Sequence, residues 1–358
     1  MKKLILILFI ATECFAAGKV IGYFTHYQRS YYPADSLEVN NVTHVIHAFI
    51  WANTDGTVYT PTDFVYPALN TKVHNAGKKI LVCLGSDGIS VVANFRTVIS
   101  DSSKRATFVS NLVAFLDTNN YDGIDLDWES PANSTDRANY LSFVTQLRSA
   151  FRVSHPSWLI TMAVTINDYW GQWFNYESMT QYIDWYGMMG YDISGAGSSN
   201  VWFNAPLYPD SINTWDGSDN DGITYLSVTR GIPKSKIVLL MPFYGYIYFG
   251  TSGYMQKFSG GGQYTYSNIA DTIAKGGFTR HWSRKSQVPF SFNSTRKIFI
   301  SYDDTASIHK KISYAINKGL AGVGIWTLNC DLVSGHQPLL ETIGKYMINE
   351  EQRVRLRK

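Results

Sequence analysis

Tyr121-Asp122-Gly123-Ile124-Asp125-Leu126-Asp127-Trp128-Glu129 sets three carboxylates two residues apart inside an otherwise apolar run. Side chains alternate along a strand, so Asp125, Asp127 and Glu129 share one face while Ile124, Leu126 and Trp128 share the other. Carboxylates brought together repel, and a group in such a cluster has its pKa pushed upward. Acidic residues are depleted in strands and rarely buried unless paired, so folding alone does not account for the pattern. A solvated strand face would be the bland explanation. The opposite face is bulky and apolar, which instead suits a strand covered by helices, with its acids available for chemistry.

The elements that must position these acids follow from periodicity. Short apolar runs at 20–25, 43–50, 79–85, 123–129, 159–165, 185–191, 237–244 and 323–328 read as strands of a parallel sheet covered by helices. Amphipathic stretches at 102–118, 134–152 and 305–318 lie between them, with N-cap residues at Asp101-Ser102-Ser103 and Ser134-Thr135-Asp136 and a stop at Gly319. Eight strands alternating with helices predict an α/β fold, a closed (β/α)8 TIM barrel. The chain exceeds the ~250 residues typical of that fold, and the excess falls at 247–303, between strands 7 and 8. There the sequence predicts a small α+β insertion with a turn at Gly260-Gly261-Gly262, a helix near 267–275 and strands at 287–292 and 297–301. The expected organisation is a leader at 1–16, a barrel over 17–346 interrupted by the insertion, and a charged tail at 347–358.

Barrels of this kind carry their chemistry at the C-terminal ends of the strands. Glu129 ends the fourth strand, Tyr191 and Asp192 the sixth, Tyr244 the seventh, and Trp326 lies near the end of the eighth. All five fall on one rim.

Composition restricts the setting. Met1-Lys2-Lys3, the apolar run to Ala11 and Cys14-Phe15-Ala16 have the order of a secretory leader, and the run is too short to span a bilayer. Glu13 sits where a lipoprotein signal needs a small residue. Cys83 and Cys330 are then the remaining cysteines, both in apolar runs, and are expected as buried thiols. A formal charge of +3 gives no reason to expect a nucleic-acid partner. His44 and His47 face opposite ways on a strand, and no other spacing suggests a metal set, so neither metal nor cofactor is expected. Asn41, Asn133 and Asn293 begin N-glycosylation patterns. The aromatic content is dominated by tyrosine, whose flat face and hydroxyl suit sugars as well as packing. Trp51, Trp170, Trp173, Trp202 and Trp215 fall in loops and are candidates for sugar contacts.

With the rim assembled, the sequence resembles the glycoside hydrolases of family 18, the chitinases. Asp122-Gly123-Ile124-Asp125-Leu126-Asp127-Trp128-Glu129 matches the family's DxxDxDxE signature, and Met189-Gly190-Tyr191-Asp192 its MxYD motif. Met241-Pro242-Phe243-Tyr244-Gly245 is similar to its seventh strand and Gly324-Ile325-Trp326 to its eighth. Asn204-Ala205-Pro206-Leu207-Tyr208 and Ser301-Tyr302-Asp303-Asp304 resemble the subgroup with a chitinase insertion domain. Cys83-Leu84-Gly85-Ser86 departs from the usual SxGG, Ser130 replaces a common Tyr, and Tyr246 replaces a frequent Arg.

The resemblance implies a secreted, monomeric chitinase acting on chitin or chito-oligosaccharides with retention, with no nucleic-acid or membrane partner. It implies substrate-assisted catalysis, in which the substrate's own N-acetyl oxygen attacks the anomeric carbon. In that scheme Glu129 is the general acid and then the base. Asp127 turns toward the acetamido N–H, Asp125 shares a proton with it, and Tyr191 and Asp192 hold the reacting sugar from the opposite side. Trp326 is the floor, with Tyr244, Met189, Tyr23 and Phe49 lining the same pocket. A chitin-binding lectin would lack the proton donor that Glu129 supplies. An endo-N-acetylglucosaminidase or peptidoglycan hydrolase on the same scaffold is disfavoured by the insertion, which walls a cleft suited to a linear polymer.

Overall fold

The computed structural model describes residues 18–349 apart from 87 and 214–216; the expected leader, most of the expected charged tail and Trp215 lie outside the described residues. The first seven barrel strands are β1 (Lys19–Thr25), β2 (His44–Ala52), β3 (Lys79–Ser86), β4 (Gly123–Trp128), β5 (Leu159–Val164), β6 (Trp185–Met189) and β7 (Ile237–Pro242). Each pairs in parallel with the next in sequence up to β7. Helices α1 (Pro67–Asn75), α2 (Ile89–Ser100), α3 (Ser102–Thr118) and α4 (Ser134–Ser154) form part of the outer layer. The predicted helix starts fall within a residue because the caps are local: Asp101 accepts from the N–H groups of Ser103 and Lys104, and Asn133 from that of Asp136.

After β7 the chain leaves the barrel. It builds β8 (Tyr244–Phe249), β9 (Gly260–Thr265), the short helix α5 (Tyr266–Ala274), β10 (Thr279–Ser283), β11 (Val288–Asn293) and β12 (Ile298–Ser301). These strands form an antiparallel sheet in the order β9-β8-β12-β11-β10. Helix α6 (Thr305–Lys318), opened by an Asp304–Ser307 capping box and ended by Gly319 at φ 69°, returns the chain to β13 (Gly322–Trp326). β13 pairs in parallel with both β7 and β1, and the eight-stranded barrel closes.

Two expectations are corrected. Gly260-Gly261-Gly262 is not a turn but the start of edge strand β9, paired with β8. A Cβ on Gly261 would lie 2.8 Å from the Ile247 carbonyl oxygen, so this pairing requires a residue without a side chain. Tyr244 does not end the seventh barrel strand. The barrel ladder stops at Pro242, and Tyr244 opens β8 in the antiparallel sheet.

The alternation read from β4 sets the layers. Ile124, Leu126 and Trp128 join the apolar cluster between barrel and helices. Trp128 meets Phe95 of α2 and Tyr140 of α4 edge-on, each at 5.2 Å between ring centroids. Burial of one such aromatic contributes about 1.5–3 kcal/mol, which anchors the back of the strand whose front carries the acids. Inside the barrel Ile21, Ile46, Leu81, Trp185, Val238 and Leu240 form the plug beneath the site. Cys83 and Cys330 are buried free thiols. Among the described residues no helix is long and apolar enough to cross a membrane.

Candidate active site

β4 delivers its carboxylates at graded depth. Asp125 is 1% exposed and Asp127 6%, whereas Glu129, one residue beyond the strand, is exposed to the cleft. Asp125 is held from three strands. Tyr23 of β1 donates to Oδ2 at 2.9 Å, Cys83 of β3 donates to Oδ2 at 3.3 Å, and Thr161 of β5 donates to Oδ1. Burial pushes the Asp125 carboxyl up from its ordinary value, and the three donors oppose that rise. Burial and the neighbouring carboxylates push the Tyr23 phenol and the Cys83 thiol well above their ordinary values, so both remain protonated donors.

The turn after β6 supplies the facing wall: β6 ends at Met189, so Tyr191 and Asp192 lie beyond the strand they were expected to end. Tyr191 is half-buried, and burial followed by the charges of Asp127, Glu129 and Asp192 pushes its phenol well above the usual range. Asp192 sits at φ 53° and is gripped by two phenols: Tyr244 and Tyr246 both donate to its Oδ1 at 2.8 Å. Tyr191 and Tyr244 meet edge-on at 6.0 Å.

The floor is Trp326, at the end of β13. Its ring lies 5.2 Å from that of Tyr23 and 5.7 Å from that of Phe49. The peptides Ala48–Phe49, Glu129–Ser130 and Trp326–Thr327 are cis. Around this floor opens a cavity of about 700 Å3 into which Asp127 and Glu129 project from one wall and Met189, Tyr191 and Asp192 from another. Acids, phenols and an indole converging in one cleft can protonate a leaving oxygen, orient a polar substituent and stack on a sugar face.

The sequence profile of the glycosyl hydrolases family 18 matches residues 19–331, the whole span that builds barrel and cleft. The chain belongs to that family. A probable endochitinase of Caenorhabditis elegans is 32% identical over 328 residues, covering 81% of this chain and 51% of the relative. Chitinase A1 of Niallia circulans is 29% identical and covers 73% of this chain and 42% of the relative. The chain thus spans about half the length of these relatives or less. Among solved structures, the Ostrinia furnacalis Group IV chitinase in complex with allosamidin superposes with a TM-score of 0.85 at 23% identity, covering 92% of this chain and 99% of that one. At that identity the likeness speaks for the fold.

In this family-18 barrel Glu129, Asp127, Tyr191, Asp192, Met189, Phe49 and Trp326 all line the cavity. Asp125, Tyr23 and Tyr244 do not. They are almost fully buried and stand behind the lining, Tyr23 on Asp125 and Tyr244 on Asp192. Of the tryptophans expected in loops, Trp51 instead lies in β2 and lines the cavity with its indole N–H on the Gly85 carbonyl, whereas Trp202 is packed in the core of the inserted sheet. Trp170 is exposed, and neither it nor Trp173 lines the cavity. Reading by motif passed over Thr161, His26, Tyr27 and Gln263, which carry no spacing signal. The Cys83 departure from SxGG proves to be a donor to Asp125. Among the glycosylation patterns, Asn293 is 4% exposed and its Oδ1 accepts from the Arg296 N–H, while Asn133 caps α4 from an exposed position.

Proposed function

We propose that the protein is a secreted chitinase that hydrolyses β-1,4 links between N-acetylglucosamine units with retention, using Glu129 as general acid and base. The observation that carries this reading is the confrontation of Asp127 and Glu129 with Tyr191 and Asp192 across one cavity floored by Trp326. The naming of the C. elegans relative as a probable endochitinase and of the N. circulans relative as a chitinase agrees with it. The cationic head, apolar run and Cys14-Phe15-Ala16 within residues 1–16 have the order of a secretory leader and support secretion.

Hydrolysis needs a proton on the bridging oxygen and a partner for the oxocarbenium-like centre. Glu129, at the mouth of the acid series, donates the proton and later activates water. In the substrate-assisted scheme the acetamido oxygen is the nucleophile, so the protein must hold that group rather than supply its own. Asp127 faces the acetamido N–H and offsets the positive charge that develops there. Asp125, gripped by Tyr23, Cys83 and Thr161, is the fixed partner that shares a proton with Asp127 in this scheme. Tyr191 stays a neutral donor because its phenol is pushed far above neutrality. Trp326 presents a flat face to the sugar.

The test incubates the protein with soluble chito-oligosaccharides and with a high-mannose glycopeptide, beside Glu129→Gln. Oligomer cleavage lost in Glu129→Gln is the expected result. Cleavage that survives the substitution refutes the acid assignment, binding without cleavage in the wild type favours a lectin, and cleavage of the glycopeptide alone favours an endoglycosidase.

A further inference from the structure

We infer that Asn204, a residue outside the cavity lining, is the positioning residue that fixes Asp192 and Tyr244 as one unit. Asn204 lies in the loop that follows β6 and is 1% exposed. It uses every polar group it has. Its Oδ1 accepts from the Asp192 N–H at 2.9 Å, and its Nδ2 donates to the Tyr244 carbonyl at 3.2 Å. Its own N–H donates to Ser301 Oγ at 2.8 Å, and its carbonyl accepts from the Ile193 N–H at 3.0 Å. The ring then closes through side chains, because the Tyr244 phenol donates to Asp192 Oδ1 at 2.8 Å.

Three chain segments far apart in sequence therefore meet on one residue: the turn after β6 and the start of β8 on its carboxamide, and the end of β12 on its backbone N–H. The first carries Tyr191 and Asp192 into the cleft, and the other two belong to the inserted sheet. Asp192 stands at φ 53°, where residues other than glycine are uncommon, so a contact to its N–H helps hold that conformation. The two partners make opposite demands. Asp192 presents a donor and Tyr244 an acceptor, and a carboxamide answers both from one side chain. A carboxylate in its place would set oxygen against the Tyr244 carbonyl, and an aliphatic side chain would take this partner from both groups. The inserted sheet is thus a brace for the wall of the site and not only a side of the groove.

This inference rests on the proposed role of Asp192 in holding the reacting sugar. Its test compares Asn204→Ala, Asn204→Asp, Asp192→Ala and Asn204→Ala/Asp192→Ala on a chromogenic chito-oligosaccharide, with rates per mole of folded enzyme. Asn204→Ala is expected to lower kcat/KM by roughly tenfold to a hundredfold, the scale of an ångström-sized misplacement. Added to Asp192→Ala, the same change is expected to cost less than about twofold, because positioning has no effect once the positioned group is gone. Losses that multiply in the double variant overturn the inference. Asn204→Asp is expected to regain activity relative to wild type as the pH falls, since a protonated carboxyl restores the donor toward Tyr244; a pH-independent loss counts against it. A crystal structure of Asn204→Ala decides the geometry without any turnover. Asp192 leaving φ 53°, or the Tyr244–Asp192 contact opening, is expected, and an unmoved pair refutes the positioning role. Absence of turnover in the wild type would instead strike at the proposed function, leaving the crystallographic arm to decide this one.

Discussion

Tyr23 on β1 donates its phenolic proton to Asp125 on β4 across the interior of the barrel, at 2.9 Å and over 102 residues of sequence. With Thr161 and Cys83 it forms a three-sided grip on a carboxylate that water barely reaches. Burial favours the neutral acid and the donors favour the anion, so the two influences on Asp125 oppose each other. Tyr23→Phe removes one donor and leaves the apolar ring. The Asp125 pKa then rises further, and the acidic limb of the kcat/KM profile is expected to move to higher pH. A pH–rate profile checks it: an unshifted limb means that Asp125 does not titrate with the catalytic group.

Asp192 offers a second measurable couple. Tyr244 and Tyr246 donate to the same oxygen, so either phenol alone still restrains the carboxylate. Each single change to Phe is expected to cost about 1 kcal/mol of transition-state stabilisation, a several-fold drop in kcat/KM. Removing both is expected to cost more than the two losses combined, because the last donor disappears with the second change. A double-mutant cycle on kcat/KM measures the coupling. Additive losses would mean that the two phenols act independently.

The barrel was legible in the sequence because its strands are short apolar runs bounded by polar caps, and local signals of that kind survive without tertiary context. Helices α3 and α6 appear with their predicted limits for the same reason: Asp101 and Asp304 cap their own first turns. The acid series was legible because alternation is a property of the strand itself, and Leu126 and Trp128 fall on the packed side as the period requires. What the sequence hid are relations between elements. The glycines of β9 look like a turn until Ile247 is seen to press against Gly261, a contact made only by strand pairing. Nothing near Tyr244 marks it as the first residue of a new sheet, since β7 and β8 are separated by one residue. Thr161 acts through a single long-range hydrogen bond, which leaves no period or motif behind, and the motif that contains Asn204 shows nothing of the four contacts that residue makes.

Behind the facing wall a buried ion triad makes a stability prediction. Lys311 of α6 is fully buried and contacts Asp303 at 2.9 Å and Asp219 at 3.4 Å. Burial pushes the Asp219 carboxyl up to about 7 even with Lys311 beside it. A Cβ on Gly190 would lie 2.3 Å from Asp219 Oδ1, so the triad also packs directly against the turn that carries Tyr191. Lys311→Met leaves two carboxyls buried without their cation and is expected to cost about 3–5 kcal/mol. Denaturant unfolding measures that loss. Replacing both acids by Asn in the Lys311→Met background is expected to recover much of it, since the uncompensated charges are then gone. A small loss for Lys311→Met alone would mean that water enters the site.

Asp331 gives the protein a pH dependence of opposite sign to that of an exposed paired carboxylate. It is fully buried at the end of the turn after β13 and accepts the N–H groups of Leu339 and Leu340 at 2.9 and 2.8 Å. Burial pushes its carboxyl up to about 8, the two N–H donors pull against it, and Glu341 and Glu38 add repulsion. In the unfolded chain the group returns to its ordinary value of 3.8. Between those values the folded form binds the proton and the unfolded form does not, so unfolding releases it and stability falls as the pH rises. The contribution is fully present below about pH 4, shrinks through the neutral range and is gone above about pH 8, with an amplitude on the order of a few kcal/mol. Asp331→Asn keeps a side-chain oxygen for one or both N–H donors but cannot ionise. Melting temperatures recorded from pH 4 to 9 are therefore expected to decline less steeply in Asp331→Asn than in the wild type, with the two curves separating most below pH 6 once each is referred to its own value at pH 9. Parallel curves would show that Asp331 is ionised in the folded protein throughout this range, its two backbone donors outweighing burial.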